Sequence, residues 1–374
     1  MWSIAVRTLV SDRGKLLTAL VGVVFSIVLV NVQGGLFLGM IRKASLLVEH
    51  GEADIWVGHR NMHNVDFPRD IPRRWINRVR SVPGVKRAEP YLIGFADMTL
   101  PSGGFENVVV IGADRATLLG GAWNVNQGDA HNILAVDAVI VDDLESEKLE
   151  YPKIGEIREI NGRRARIVAN THGIMGFLVA PYVFTTYERA GGYLRKQPDR
   201  SSYFLVQLAP GADPAEVCEA IHRRVPELEA YPRDQYGWIS ILFWLIRTGL
   251  GISFGAATLL GLLIGMSMVA QTLYALVLDR LADFGTLKAI GAHEWQIHVI
   301  LLAQAFIMAL AGSLIGLAMV AGIQHFYSTP RAPILVPWTL SLGSCLLVLV
   351  ICLIASMLPY QRIRRIDPMM VLQS

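Results

Sequence analysis

Residues 250–278 have the sequence LGISFGAATLLGLLIGMSMVAQTLYALVL, an apolar run without Asp, Glu, Lys or Arg. A helix needs roughly 20 mostly apolar residues to cross the hydrocarbon core of a bilayer. Comparable runs occupy residues 16–41, 299–323 and 340–358. In the whole chain 53% of the residues are hydrophobic and only 17% are charged, which is typical of a protein with several spans. We therefore predict four transmembrane helices.

The region between the first two runs has the composition of a water-soluble domain, with mixed charges, prolines and alternating apolar residues. Strand patterns occur at residues 53–58, 85–100, 107–112, 138–141, 156–160, 165–169, 182–185 and 204–208. Helices are predicted at residues 72–80 and 213–224, the second with Asp213 as its N-cap. The predicted fold class is a membrane all-α bundle of four transmembrane helices with an inserted α+β extracytoplasmic domain.

Lys and Arg residues flank the spans unevenly, and positive residues in short flanks stay on the cytoplasmic side. The positive flanks contain Arg7, Arg13 and Lys15 before the first span, Arg280 and Lys288 after the second, and Arg362, Arg364 and Arg365 after the fourth. The short loop between the third and fourth spans has only Arg331. We predict a multi-pass protein of the inner (plasma) membrane, with both termini cytoplasmic and the large domain outside.

These boundaries divide the chain into nine segments. They are a cytoplasmic segment 1–15, a first span 16–41, the outer domain 42–238, a long second span with an outer stalk 239–278, a cytoplasmic connector 279–296, a third span 297–323, a short outer loop 324–338, a fourth span 339–360 and a cytoplasmic tail 361–374. The chain has no Pro from Trp238 to Leu278, so we expect one helix of roughly 60 Å that partly projects from the membrane. Arg247 would then lie at the outer interface or snorkel toward it.

Small residues within the spans indicate close helix packing. Glycines four positions apart occur at Gly35 and Gly39, Gly251 and Gly255, Gly261 and Gly265, and Gly312 and Gly316. Such pairs let helix backbones approach each other in lipid, within one bundle or across a dimer interface. The span cores lack Asp, Glu, His and Arg, which disfavours an ion-coupled transport relay. The polar exceptions Asn31, Gln33, Gln271 and Gln304 favour interhelical hydrogen bonds.

Other functional classes find little support in the sequence. The pair Gly14-Lys15 is followed by Leu16 and lacks the upstream glycine, so the chain has no P-loop, and any ATP would be bound by a partner subunit. The net charge of +3 comes without a basic, aromatic-interleaved run, so nucleic acid is not an expected partner. We expect no catalytic residues, no metal and no cofactor. A membrane-anchored enzyme would need a convergent acid, base or nucleophile set, and the sequence shows none.

Two clusters of titratable residues leave alternatives open. His50, His59 and His63 would suit a metal or haem site on a helix, but the surrounding Asn and Pro residues favour an exposed loop. An acidic cluster is predicted near the start of a helix, where the macrodipole favours carboxylates over a cation site. It comprises Asp142, Asp143, Glu145 and Glu147.

Residues 279–292, between the second and third spans, have the sequence DRLADFGTLKAIGA. Helical spacing of the apolar positions predicts a short amphipathic helix at the cytoplasmic surface, with a solvated connector as the alternative. The segment resembles the FtsX-like permeases of ABC transporters, in which Arg, Glu, Gly, Lys-Ala and Gly-Ala recur at this spacing. Matching residues are Arg280, Phe284, Gly285, Leu287, Lys288, Ala289, Ile290, Gly291 and Ala292, while Asp283 stands where Glu is usual.

The resemblance extends over nearly the whole chain. Gln304-Ala305 lies where the family often has Glu-Ala, and residues 362–372 resemble its basic tail with Asp-Pro. Residues 82–85, Val-Pro-Gly-Val, resemble the MacB-type outer domain, the MacB-like periplasmic core, and the overall pattern is similar to DevC-like exporter subunits.

The resemblance implies a non-catalytic permease subunit of an ABC-type exporter. In that family, segment 279–296 is the coupling helix that docks on a separate ATPase, and ATP-driven movement is transmitted to the outer domain for export of a lipid, glycolipid, lipoprotein or drug-like cargo. The implied ATPase-docking residues are Arg280, Asp283, Phe284, Gly285, Leu287, Lys288, Ala289 and Gly291. Expected partners are the ATPase and a second permease copy, as a homodimer in preference to a heterodimer. A membrane-fusion adaptor and an outer-membrane duct are further partners that the resemblance allows. The alternative is an FtsX-type regulator that transmits ATPase motion to an envelope hydrolase.

Overall fold

A computed structural model describes residues 9, 11–178, 180–279 and 293–357. The chain forms two compact units. One combines the residues up to Gly39 with those from Gly251 onward, and the other is the continuous segment Met40–Leu250. The first unit is a helical bundle and the second is an α+β domain, so the predicted fold class is confirmed.

Four helices of the described chain are long and apolar enough to cross a membrane. These membrane helices, named first to fourth below, span Arg13–Arg42, Leu250–Asp279, Glu294–Tyr327 and Trp338–Ala355. Trp295 and Tyr327 lie exposed near the two ends of the third helix, about 48 Å apart along its axis. That separation exceeds the roughly 30 Å of a hydrocarbon core, so the third helix is longer than a membrane crossing requires.

The predicted single helix from Trp238 through the second span is wrong, because it is interrupted. The helix Arg233–Leu242 passes into a wide π-type turn at Phe243–Arg247, and the second membrane helix begins only at Leu250. Gly249 between them has φ +73°. That left-handed conformation ends a helix and is accessible to glycine at little cost, so the break arises from glycine in a stretch without proline.

The outer unit is built on a sheet of ten strands. The twelve strands of the unit are β1 Ile55–His59, β2 Ile71–Pro72, β3 Val85–Thr99, β4 Phe105–Ala113, β5 Val125–Gly128, β6 Ala138–Asp142, β7 Ile157–Ile160, β8 Arg163–Thr171, β9 Tyr182–Thr186, β10 Arg200–Ser201, β11 Tyr203–Leu208 and β12 Leu228–Pro232. The order in the large sheet is β12-β1-β11-β3-β4-β9-β6-β8-β5, with β7 beside β3 and β8, while β2 and β10 form a separate pair. Most neighbours are antiparallel, but β4–β9 and β6–β8 are parallel.

Alternating strands and short helices enclose the apolar core of this unit. The remaining helices are Leu46–His50, Ile76–Arg80, Tyr187–Tyr193 and Pro214–Arg224, and Arg73–Trp75 forms a 3-10 turn. Asp213 is the N-cap of the fourth of these helices, and its side chain accepts a hydrogen bond from the Ala215 amide. Loss of such a cap typically costs about 1 kcal/mol.

The predicted helix start at the acidic cluster is wrong. Asp142 ends β6, and residues 143–150 form successive turns. The carboxylate of Asp142 instead accepts hydrogen bonds from the Thr171 hydroxyl and the Ile174 amide. These bonds tie the end of β6 to the chain that follows β8, so Asp142 has a structural role.

Candidate functional site

The first membrane helix packs against the second through one serine and two glycines. The Ser26 hydroxyl lies 3.1 Å from the Gly22 carbonyl oxygen and 3.0 Å from the Gly261 carbonyl oxygen, and it donates its proton between them. A Cβ at Gly265 would overlap Ser26 Oγ, and a Cβ at Gly261 would lie 2.6 Å from Leu29 Cδ2. The small residues therefore let this hydroxyl reach a backbone carbonyl of the neighbouring helix.

Glycines also form the contact between the third membrane helix and another face of the first. Cβ atoms at Gly312 and Gly316 would lie 2.5 Å from Val23 and 2.7 Å from Ile27. Both pairs are spaced by one helical turn, so each branched side chain enters the gap left by one glycine. The two helices are thereby held in a fixed register.

An amide joins the first membrane helix to the fourth. Asn31 Nδ2 donates to Ser344 Oγ and to the Ile27 carbonyl, each at 2.8 Å, and the Ser344 hydroxyl donates to the Ser341 carbonyl. Hydrogen bonds of this kind contribute about 0.6 kcal/mol each in a membrane. The first membrane helix therefore contacts all three of the others.

Two of the four glycine pairs have surroundings that the sequence did not indicate. Gly35 and Gly39 face the loop between the third and fourth membrane helices, because added Cβ atoms would meet Val336 and Pro333. A Cβ at Gly255 would have no neighbour within 4 Å in the described part of the chain, and Gly251 lies at the start of the second membrane helix. Of the described residues, the pairs 261/265 and 312/316 are the ones that meet another helix.

Gln304 is buried in the third membrane helix, and neither its amide nitrogen nor its amide oxygen has a partner among the described residues. Gln304 occupies the position where the resemblance expects Glu. An unpaired amide in an apolar interior costs roughly 1 to 3 kcal/mol.

The outer domain holds the ends of both membrane connections in one apolar core. Leu47, just after the first membrane helix, and Tyr236, in the helix Arg233–Leu242, are both buried in the cluster around Trp56. The Tyr236 hydroxyl donates to the Tyr203 hydroxyl at 3.0 Å, and the ring centroids of Trp56 and Tyr236 are 5.8 Å apart. The two ends of the outer domain therefore share one buried core.

The π-type turn Phe243–Arg247 packs against the outer domain through Trp244. Its ring centroid lies 4.1 Å from that of Phe177 and 6.1 Å from that of Phe67. Beside it is Asp66, which is only 5% exposed. Burial raises the pKa of Asp66 to about 7, and the nearby Trp244 indole offsets only part of that rise.

The candidate histidines do not form a metal site within the described residues. His59 and His63 line a cavity of about 160 Å³ in the outer domain, and His59 Nδ1 faces the Arg60 carbonyl. In the described ranges no three His, Cys, Asp or Glu side chains come together as metal ligands. His50 instead stacks on Trp123, with ring centroids 4.9 Å apart.

Two family models match most of the chain. Residues 16–224 match the family model of the MacB-like periplasmic core domain, and residues 255–368 match the FtsX-like permease C-terminal model. The chain belongs to the FtsX-like, MacB-type family of ABC transporter permeases. The permease is 24% identical over 358 residues to the ABC transporter permease Rv0072 of Mycobacterium tuberculosis, covering 93% of this chain and 91% of that one. It is 22% identical to the ABC transporter permease YknZ of Bacillus subtilis over 232 residues, 59% of this chain and 57% of that one.

Two solved extracytoplasmic domains are similar to part of the permease. The periplasmic region of MacB from Actinobacillus actinomycetemcomitans covers 50% of this chain and 91% of its own, with 9% identity and a TM-score of 0.39. The extracellular domain of the transporter YknZ covers 47% and 98%, with 12% identity and a TM-score of 0.36.

The predicted ATPase-docking residues, from Arg280 to Gly291, lie outside the described residues. The described chain approaches them from both sides. Asp279, the last residue of the second membrane helix, forms an ion pair with Lys15 of the first. The third begins after His293, whose amide donates to Gln296 Oε1 at 3.1 Å. As an ABC transporter permease, the protein works with an ATPase partner.

Proposed function

We propose that the permease is a non-catalytic subunit of an ABC-type exporter that acts by mechanotransmission. A separate ATPase would bind and hydrolyse ATP, and its movement would pass along the membrane helices to the outer domain. The cargo class is hydrophobic or amphipathic: a lipid, glycolipid, lipoprotein or drug-like molecule. The observation that supports this best is the shared core, because Leu47 and Tyr236, near the two ends of the outer domain, are buried in one cluster.

The positions of the charged and polar residues in the membrane helices support the same mechanism. Within the described spans, Lys, Arg, Asp and Glu occur only at helix ends, as in Lys15, Arg42 and Asp279. The buried polar groups between those ends are Ser, Thr, Asn and Gln, several of which bond between helices. A chain built this way suits force transmission better than passage of a charged solute through its own bundle.

The docking surface in this proposal is the coupling helix 279–296, with both termini cytoplasmic and a second permease copy completing the complex. Its basic residues would supply charge complementarity to the ATPase, and its glycines would allow close approach.

The test is copurification of the tagged chain with the ATPase of its own operon. We expect Gly285→Arg and Lys288→Glu to abolish capture, while Arg78→Glu, an exposed charge reversal in the outer domain, leaves it intact. Equal capture by all variants would refute the docking assignment.

Force transmission needs a measurement of its own. Hydrogen exchange of residues 233–247 should change when the permease–ATPase complex is switched between ATP and ADP, because this segment joins the core to the second membrane helix. Exchange that ignores the nucleotide would contradict mechanotransmission even if docking holds. An adaptor with one membrane anchor and a long hairpin, encoded alongside, would favour export over the role of an FtsX-type regulator.

A further inference from the structure

A basic pocket of about 480 Å³ opens on the outer domain. Five cationic side chains line it, namely Arg73, Arg163, Arg195, Lys196 and Arg200, against a single carboxylate, that of Glu188. They come from three separate parts of the chain, the 3-10 turn, the start of β8 and the segment after the helix Tyr187–Tyr193. A volume of this size is in the range of small-molecule sites.

Three of these guanidinium groups are not neutralised. Lys196 Nζ lies 2.5 Å from Asp70 Oδ1, and Arg200 lies 3.9 Å from Asp199. Arg73, Arg163 and Arg195 have no carboxylate within ion-pair distance in the part of the chain that the structure describes. Like charges that share one pocket repel each other, and a bound anion would remove that repulsion.

Two of the three groups lie against neighbouring residues of the pocket. The Arg73 guanidinium carbon lies 4.8 Å from the centre of the Tyr187 ring, as in a cation–π contact. Tyr187 is itself buried, and its hydroxyl donates to the Arg200 carbonyl at 2.6 Å. A Cβ at Gly192 would lie 2.7 Å from Arg163 Nη1, so the absence of a side chain there makes room for that guanidinium.

Arg195 has an unusual backbone conformation. Its φ is +52°, in the left-handed region that non-glycine residues rarely adopt. Its Nη2 lies 3.5 Å from the Asn161 carbonyl oxygen, at the limit of a hydrogen bond. The helix dipole favours cations just after a helix, which accounts for Arg195 and Lys196 but not for Arg73 or Arg163. The convergence of all of them on one pocket needs another reason.

We propose that this pocket binds a phosphate-bearing molecule. Guanidinium groups bind phosphate through paired hydrogen bonds, and a phosphate monoester offers about −1.5 to −2 charges with three acceptor oxygens to several donors at once. A single carboxylate carries half of that charge and fewer acceptors. Free phosphate and a lipid or glycolipid headgroup that ends in a phosphate monoester share this chemistry, and glycerol phosphate compared with inorganic phosphate distinguishes the two sources.

The test is calorimetric titration of the full chain in dodecyl maltoside, which contains no phosphate. The probes are glycerol phosphate, inorganic phosphate, acetate and glycerol. We expect saturable, salt-sensitive binding of glycerol phosphate that is at least tenfold weaker in the double variant R163Q/R195Q. The matched control R78Q/R224Q removes two exposed arginines outside the pocket and should change the affinity less than twofold.

Each outcome decides the proposal. Tighter binding of glycerol phosphate than of inorganic phosphate supports a headgroup as ligand, and equal binding supports free phosphate. The proposal is overturned if neither phosphate probe binds, if both double variants lose affinity equally, or if acetate binds as tightly as phosphate. Unchanged melting temperatures of the variants establish that any loss arises at the pocket.

Discussion

Replacing Asp66 with Asn removes a carboxylate that burial beside Trp244 makes costly to ionise. The pKa of Asp66 in the folded protein is about 7, against an ordinary value of 3.8. A carboxyl group whose pKa is raised by folding stabilises the fold fully below its unfolded pKa, and that contribution is lost as the pH rises through the folded pKa. Between about pH 4 and pH 7 the wild type therefore loses up to about 4 kcal/mol of stability that Asp66→Asn retains.

The assay is thermal unfolding of the outer domain in the detergent-solubilised chain, from pH 4 to pH 8, for both proteins. For a domain of this size the difference in melting temperature between variant and wild type should grow by about 10 °C across that range. The buried amide of Asn adds a cost of its own, but that cost does not depend on pH. The control Asp199→Asn changes an exposed carboxylate and should give a constant difference. A constant difference for Asp66→Asn as well would refute the reasoning.

Three further changes test the packing of the two units. Gly265→Val should lower the stability of the bundle by about 1 to 3 kcal/mol, because the valine side chain would overlap the Ser26 hydroxyl. The control Gly255→Val places its side chain in open space and should leave thermal unfolding in detergent unchanged. Asn31→Leu and Ser344→Ala should show a coupling of about 0.6 kcal/mol in a double-mutant cycle, and purely additive effects would contradict the hydrogen bond. Tyr236→Phe should cost about 1 kcal/mol and speed hydrogen exchange in its helix, and exchange as slow as in the wild type would argue against the anchor.

Much of the fold is predictable because its elements are long or strongly alternating. The four apolar runs give the membrane helices, and strands such as β3 and β4 alternate over many residues. The sequence did not reveal β5 Val125–Gly128 or β12 Leu228–Pro232. The first is polar and exposed, and the second ends in a proline at the edge of the sheet. Neither has the period-two apolar pattern by which a strand is recognised.

The break before the second membrane helix is indicated by two residues within an otherwise apolar stretch. Arg247 followed two residues later by Gly249 is a typical helix ending, with a basic last turn and a left-handed glycine. Because the surrounding residues are apolar, hydropathy alone predicts one continuous helix. The basic pocket could not be predicted at all, since Arg73, Arg163 and Arg195 are brought together only by the sheet topology.

The central position of the first membrane helix has a consequence for biogenesis. This helix is synthesised first, but its interhelical partners come much later in the chain. The partner of the Ser26 hydroxyl follows 235 residues later, and the partner of the Asn31 amide follows 313 residues later. At translation rates of about 5 to 20 residues per second, Asn31 spends roughly 15 to 60 s in the membrane before Ser344 has been made. During that interval the Asn31 amide can bond within its own helix, to the Ile27 carbonyl, but it has no interhelical partner. A chain that stops before its fourth membrane helix would therefore keep this polar group at its helix surface without the interhelical bond that Ser344 supplies.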